Sequence, residues 1–129
     1  MRNLLFLFNH APTHRQLEDA RRELGVTHFI QPPETVKRLW QQVPPKLESL
    51  SAYLDPVRRW IKETGAPGDY VLIQGDFGAT HLMVYYTKTL GMVPVYSTTL
   101  RMAVENPDSN GGVQLSHTFK HQRFRRYGE

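Results

Sequence analysis

Four short segments in the first three quarters of the chain predict strands. They cover residues 4–8, 26–30, 70–73 and 93–97. Residues 4–8 and 70–73 are continuous apolar runs, and the run at 4–8 is typical of a strand buried on both faces. A later segment, residues 113–121, alternates instead, with Val113, Leu115, His117, Phe119 and His121 on one face. This period of two predicts a fifth strand with one side toward solvent.

Helical periodicity fills the intervals between these runs. Thr13 is a predicted N-cap and Gln16, three residues later, completes a capping box for a helix that ends at Gly25. Residues 34–64 have two apolar faces separated by Pro44-Pro45. Within the second face, Pro56 predicts either a kink or a new helix capped by Asp55.

A further helix is expected over residues 79–90, with a stop at Gly91. We expect Thr98-Thr99 to close the fourth strand, a short helix at residues 101–105, and a turn at residues 106–112. Strands that alternate with helices predict one α/β domain, residues 1–129, with a mainly parallel sheet and helices on both faces. The last strand enters through a turn, so it is expected to be an antiparallel edge.

Composition narrows the class of protein. The chain contains no cysteine, which excludes disulfides and cysteine zinc sites. No apolar run is long enough for an export signal or a membrane span, so a cytosolic protein is expected. The net charge is +4, and residues 120–129 carry most of it on one lysine and three arginines. That basic end suits a polyanionic partner or a solvated edge strand.

Candidate chemistry gathers where parallel strands end. In the segment DYVLIQGDFGAT, Gly75 and Gly78 permit a tight turn, and the helix that follows offers N–H groups to an anion. Because parallel strands end at one edge, this side also collects several polar residues. They are Asn9, His10, Gln74, Asp76, Thr98, Thr99 and Arg101. A polar, phosphate-bearing ligand fits this set, although each residue also suits an ordinary capping, turn or surface role.

Several enzyme classes are disfavoured by missing motifs. The six histidines show no H-E-x-x-H spacing, and no paired carboxylates or G-x-S-x-G motif is present. The G-D-F-G loop also lacks the lysine and length of a Walker A motif. We therefore expect no bound metal or cofactor.

Several segments together resemble one known family. They are LFNH, the capping-box helix followed by LGV, WxxVPP, QGDFGAT, VPVYSTT and FKHQRFRRYG. The chain is similar to the small stand-alone CRISPR-associated Csx group of type III systems, whose members have Rossmann-like, CARF-like domains. The resemblance implies a homodimeric ring nuclease that cuts a cyclic oligoadenylate, most often cyclic tetra-adenylate, and switches off antiviral signalling.

Such an enzyme needs no metal, because the ribose 2′-hydroxyl can attack the adjacent phosphate. The resemblance makes His10, Asp76 and Arg101 the expected catalytic residues. His10 would either take the proton of the 2′-hydroxyl or give one to the leaving oxygen, and Asp76 would either orient His10 or bond an adenine or ribose. Arg101, together with the N–H groups of residues 77–79, would stabilise charge on the phosphate. The expected ligand-binding residues are Asn9, Gln74, Gly75, Phe77, Gly78, Ala79, Thr98 and Thr99.

Two other functions remain open from the residues alone. A non-catalytic sponge or sensor for the same messenger would use the same edge of the sheet. A general RNA-binding module would use the basic and aromatic residues of the C-terminal segment. Neither DNA nor a membrane is an expected partner.

Overall fold

A computed structural model describes residues 2–129, except for the side chains of Val104 and His117. The elements follow one another as β1 (Arg2–Leu7), α1 (His14–Leu24), β2 (Val26–Ile30), α2 (Glu34–Gln41), α3 (Asp55–Thr64), β3 (Tyr70–Ile73), α4 (Phe77–Thr89), β4 (Val93–Pro107) and β5 (Val113–Arg126). Within residues 2–129, no helix is both long enough and apolar enough to cross a membrane.

The five strands form one sheet in the order β2-β1-β3-β4-β5. Strand β1 pairs in parallel with β2 and β3, and β3 pairs in parallel with β4. Strand β5 runs antiparallel to β4 at the edge. The predicted mixed α/β class, mainly parallel sheet and antiparallel edge strand are therefore confirmed.

The sheet separates two apolar layers, because successive strand side chains point to opposite faces. Leu5 and Leu7 of β1 pack with α2, α3 and α4, whereas Leu4 and Phe6 face α1. All four of these side chains are buried. Helices thus cover both faces, as the sequence predicted, with α1 covering one of them alone.

Local signals located the helix ends well. Thr13 caps α1 with both hydrogen bonds of a capping box to Gln16, and Gly25 ends it in the left-handed conformation. Of the two readings at Pro56, the new helix is correct. It begins at Asp55, and its N-cap is Leu54 rather than Asp55.

The expected end of the fourth strand was wrong. Strand β4 continues through Thr98 and Thr99 to Pro107, so residues 101–105 are strand and not helix. Their cross-strand pairing with β5 runs unbroken from Thr99 to Pro107. The residues at positions 100, 102 and 104 are apolar and alternate with polar or small ones. This period of two is typical of a strand and outweighs the helix propensity of the segment.

We call residues 99–120 the arm. Its two strands meet at the predicted turn, where Asp108 accepts hydrogen bonds from the N–H groups of Asn110 and Gly112. Every described side chain on the arm is exposed except Asp108, which is half-buried. The arm is therefore a two-stranded ribbon that extends beyond the layered body. The side chain of His117, expected on the face of Phe119, lies outside the described residues.

Candidate functional site

The carboxyl ends of β1 and β3 lie side by side, next to the point where the parallel pairing of β4 stops. The parallel register pairs Leu7 with Ile73 and Leu72 with Val95. This register also brings three following residues to the same level: Phe8 and Gln74, one position after Leu7 and Ile73, and Ser97, two positions after Val95. We call the edge formed by these three residues and the segments after them the carboxyl edge.

Asn9 and His10 leave β1 at this edge, and both are exposed. The His10 ring packs edge-on against Phe8, with 5.4 Å between ring centroids. The imidazole is thus held on the rim of the edge while its nitrogens remain open to solvent. This placement is compatible with the proton transfer that the sequence resemblance implied.

Gln74 and Gly75 serve the protein's own packing. The Gln74 side-chain oxygen accepts a hydrogen bond of 2.7 Å from the N–H of Ser97, which joins the ends of β3 and β4. The Gln74 carbonyl accepts another, of 3.0 Å, from the Trp40 indole. A Cβ on Gly75 would lie 2.8 Å from that indole nitrogen. Gly75 is therefore required by the close approach of Trp40.

Asp76 is the N-cap of α4, and its carboxylate accepts a 3.0 Å hydrogen bond from Ala79 N. That bond uses the Ala79 N–H, so Ala79 is not free to bind a ligand through it. The N–H groups of Phe77 and Gly78 precede it in the first turn, where a helix provides no acceptor. The Phe77 side chain is 95% exposed.

Thr98 and Thr99 continue β4 past the edge. The Thr98 hydroxyl exchanges hydrogen bonds with the backbone of Arg123, 3.1 Å to its carbonyl and 3.2 Å from its N–H. It therefore secures β5, whereas Thr99 is exposed.

Arg101 does not join this group within one chain. Because β4 continues, four residues at about 3.3 Å each place it about 13 Å beyond Ser97. Its guanidinium lies 6.0 Å from the Phe119 ring centroid, on the arm. The expected contact of Arg101 with a phosphate at this edge is therefore not formed in the single chain.

A groove of about 420 Å³ opens beside the first turn of α4. The segment 43–50 forms one wall, and Asp76, Gly78, His81 and Leu82 form the other. No sequence pattern indicates this groove, because the second apolar face predicts helix before Asp55, whereas residues 43–54 are turns and irregular structure. Its mixed apolar and polar lining is suited to a flat heterocycle.

A buried chain of polar side chains lies under the carboxyl edge on the α1 side. His121 Nε2 is 2.8 Å from Asp19 Oδ2, and His121 Nδ1 is 2.5 Å from Ser97 Oγ. Gln16 Nε2 donates to the same Ser97 oxygen at 3.2 Å. All four residues are buried. The partners are 24 to 102 positions apart in sequence, so no spacing motif could reveal them.

A bulge in β5 aims His121 inward. Thr98 pairs with Arg123 and Thr99 with His121, so Gln122 is an extra residue between two ladder positions. His121 and Phe124 can therefore both face the α1 layer, although a regular strand would place them on opposite sides.

A second cavity lies away from the carboxyl edge. It has a volume of about 810 Å³ and lies between the C-terminal half of α1 and strand β5. Its lining includes Leu24, Tyr70 and Arg126, which mark the opposite end of the sheet, and Asp19 at its inner side. Among the described residues, no group of three or more His, Asp or Glu side chains is placed to hold a metal ion.

Comparison with known proteins places the chain in a family. A protein from Methanocaldococcus jannaschii, described as "Uncharacterized protein MJ1673", is 40% identical over 127 residues, covering 98% of each chain. No solved structure shows significant similarity. The sequence profile of the "Uncharacterized protein MJ1673 family" matches residues 2–125. The chain therefore belongs to the MJ1673 family.

Proposed function

We propose that this protein is a ring nuclease with a Rossmann-like, CARF-like fold. It binds a cyclic oligoadenylate, most simply cyclic tetra-adenylate, at the carboxyl edge and cleaves it without a metal. In this proposal it acts in the cytoplasm and ends type III CRISPR antiviral signalling. The sequence resemblance suggests this function, and the geometry of the edge supports it.

The observation that carries the proposal is the position of Phe77. The phenyl ring is 95% exposed, and it stands beside two helix N-terminal N–H groups. An exposed ring can stack on a nucleobase, and the N–H groups can bind the adjoining phosphate. An adenylate unit presents both groups within one nucleotide.

The groove next to this turn supplies a second contact for the ligand. With a volume of about 420 Å³, it has room for one adenine base. Asp76 uses Oδ2 to cap α4, which leaves Oδ1 available to accept from an adenine amino group. Asp76 would therefore bind the ligand and would not orient His10.

Cleavage would follow from in-line attack of a ribose 2′-hydroxyl on the neighbouring phosphate. The O2′–P bond forms, the P–O5′ bond breaks, and the product carries a 2′,3′-cyclic phosphate and a 5′-hydroxyl. N–H groups of Phe77 and Gly78 would stabilise the charge on phosphorus oxygens. His10, on the rim, can give a proton to the leaving oxygen.

The test is incubation of the purified protein with cyclic tetra-adenylate in EDTA, followed by chromatography and mass analysis. Linear products with a cyclic phosphate support the proposal. Phe77→Ala should weaken binding at least tenfold, and Tyr85→Ala is its control, two turns along the same helix and 71% exposed. Equal effects of both changes would show that Phe77 has no special role in stacking.

We also propose that the protein acts as a homodimer joined through the arm. Isolated two-stranded ribbons are marginally stable in water, and this one exposes Leu100 and Met102 on one face and Leu115 and Phe119 on the other. Covering both faces suits a second arm packed against the first. Replacing Leu115 and Phe119 by lysine should give a monomer by light scattering, whereas Arg101→Ala should not.

Binding without cleavage is the second candidate function. Gln74 and Asp76 are engaged inside the protein, which favours a rigid binding edge over a set of free catalytic groups. Intact cyclic tetra-adenylate that co-elutes with the protein after long incubation would establish this sponge activity. General RNA binding through Arg123 and Arg125 predicts instead that linear RNA competes and that the affinity falls steeply with salt.

A further inference from the structure

We propose that Ser97, His121 and Asp19 form a proton relay that activates the 2′-hydroxyl in the reaction at the carboxyl edge. Ser97 is the catalytic residue, while His121 and Asp19 position it and take up the charge. This inference rests on the proposed function and gives it a general base that the sequence did not reveal.

The three side chains form a continuous hydrogen-bonded chain from α1 across β5 to β4. Asp19 Oδ2 lies 2.8 Å from His121 Nε2, and His121 Nδ1 lies 2.5 Å from Ser97 Oγ. Asp19 and His121 are each 5% exposed, and Ser97 is 8% exposed. The order carboxylate, imidazole, hydroxyl is that of a nucleophile activated through histidine, with the two ring nitrogens exchanged.

Asp19 has a second, cationic partner besides His121. Arg22 Nη2 donates to Asp19 Oδ1 at 2.9 Å, so the carboxylate already has a cationic partner. A hydrogen bond and the negative charge of Glu23, followed by the charge of Asp19, raise the pKa of Arg22 and keep it protonated. Asp19 can accept only, so His121 carries its hydrogen on Nε2. Nδ1 then presents a lone pair to Ser97.

The Ser97 hydroxyl has one acceptor position to spare. Its hydrogen goes to His121 Nδ1, and one oxygen lone pair accepts from Gln16 Nε2. A hydroxyl has two acceptor lone pairs, so one remains for a hydrogen from a ligand. Ser97 stands level with Gln74, at the point along β4 where its parallel pairing with β3 stops.

Two proton transfers accompany the attack on phosphorus. The ribose 2′-hydroxyl gives its proton to Ser97 Oγ, and Ser97 passes its own proton to His121 Nδ1. The freed oxygen attacks phosphorus, the P–O5′ bond breaks, and the leaving oxygen takes a proton from water or His10. Asp19 stabilises the transient imidazolium, which after product leaves returns its proton through Ser97 and solvent to the hydroxide or the neutral His10 left by protonation of the leaving oxygen.

A network that only holds α1 against β4 and β5 would use the same bonds, so the test must separate rate from stability. Ser97→Ala should reduce kcat for cyclic tetra-adenylate about 100-fold or more, with Kd changed less than threefold. Thr118→Val is the control, because it removes an exposed hydroxyl on the paired strand β5, outside the cluster. It should retain kcat within threefold.

The outcomes separate the two proposals. A wild-type protein that leaves cyclic tetra-adenylate and its three- and six-membered homologues intact refutes both the nuclease and the relay. Cleavage by Ser97→Ala at the wild-type rate refutes the relay alone. Nitrogen-15 NMR of the full chain decides the tautomer without any substrate, and hydrogen on Nδ1 of His121 would overturn the relay.

Discussion

Gly75→Ala is the change that most directly separates packing from ligand binding in the G-D-F-G turn. The added Cβ would lie 2.8 Å from Trp40 Nε1, 3.0 Å from Cε2 and 3.2 Å from Cζ2. The indole is a rigid plane that is itself 2% exposed. It can move away only by giving up its 3.0 Å hydrogen bond to the Gln74 carbonyl.

The magnitude follows from these two contacts. Overpacking a buried site by about one methyl group costs about 1–3 kcal/mol. Loss of the indole hydrogen bond costs about 1 kcal/mol more. We therefore expect Gly75→Ala to reduce the free energy of unfolding by about 2–4 kcal/mol. For a chain of this size the corresponding fall in Tm is about 6–15 °C.

Gly78→Ala is the matched control in the same turn. Its added Cβ would lie 3.5 Å from both Asp76 Oδ2 and Leu50 Cδ1, which is ordinary van der Waals contact. Gly78 lies in the first turn of α4, where alanine restricts the unfolded chain and favours the helix. Its stability should be unchanged or rise by up to about 1 kcal/mol.

Urea unfolding followed by tryptophan fluorescence measures both variants. The slope with urea should match that of wild type, because the surface exposed on unfolding hardly changes. The argument from Trp40 would be refuted if the free energy of unfolding of Gly75→Ala lay within about 0.5 kcal/mol of the wild-type value, which is roughly the measurement error. Equal destabilisation by the two changes would show that the turn requires glycine for its backbone.

Three further changes test bonds at element ends, each by urea unfolding. Tyr127→Phe removes the hydrogen bond to the Ile73 carbonyl and should cost about 1 kcal/mol. Burial, and then the nearby Tyr96, raise the pKa of Tyr127, so wild-type stability should fall as pH rises above about 10, and less so in the variant. Asp76→Ala should cost about 1 kcal/mol by uncapping α4. Thr13→Ala should cost about as much, with Thr35→Ala unchanged within error as an exposed control.

Local sequence signals were sufficient for much of the body. The strands predicted at residues 26–30 and 70–73 match the bounds of β2 and β3. Thr13, Gln16 and Gly25 correctly indicated the ends of α1. These predictions were correct because each signal depends on residues within four positions of one another: the apolar and polar pattern of a strand, a capping box and a left-handed glycine. The antiparallel edge followed from the turn chemistry around Asp108.

Non-local structure was harder to predict. Polar Thr98 and Thr99 follow an apolar segment and so predict a strand end, yet they continue β4 through pairing with a distant segment. That error also misplaced Arg101, which the extended strand carries away from the carboxyl edge. The contact of His121 with Asp19 spans 102 positions and depends on a bulge, which single-sequence periodicity cannot register.

The carboxyl edge divides into groups that build it and groups that remain available. Gln74 and Thr98 tie neighbouring strands together, Gly75 admits Trp40, and one oxygen of Asp76 caps α4. These bonds fix the positions of Phe77 and Ser97 before any ligand arrives. An edge whose polar groups are already bonded loses little conformational entropy when it binds, and it needs little reorganisation to stabilise developing charge. In the proposed reaction, the chemistry would therefore come from the few groups left free, which is why the proposal assigns more weight to the spare lone pair of Ser97 than to the larger number of polar residues around it.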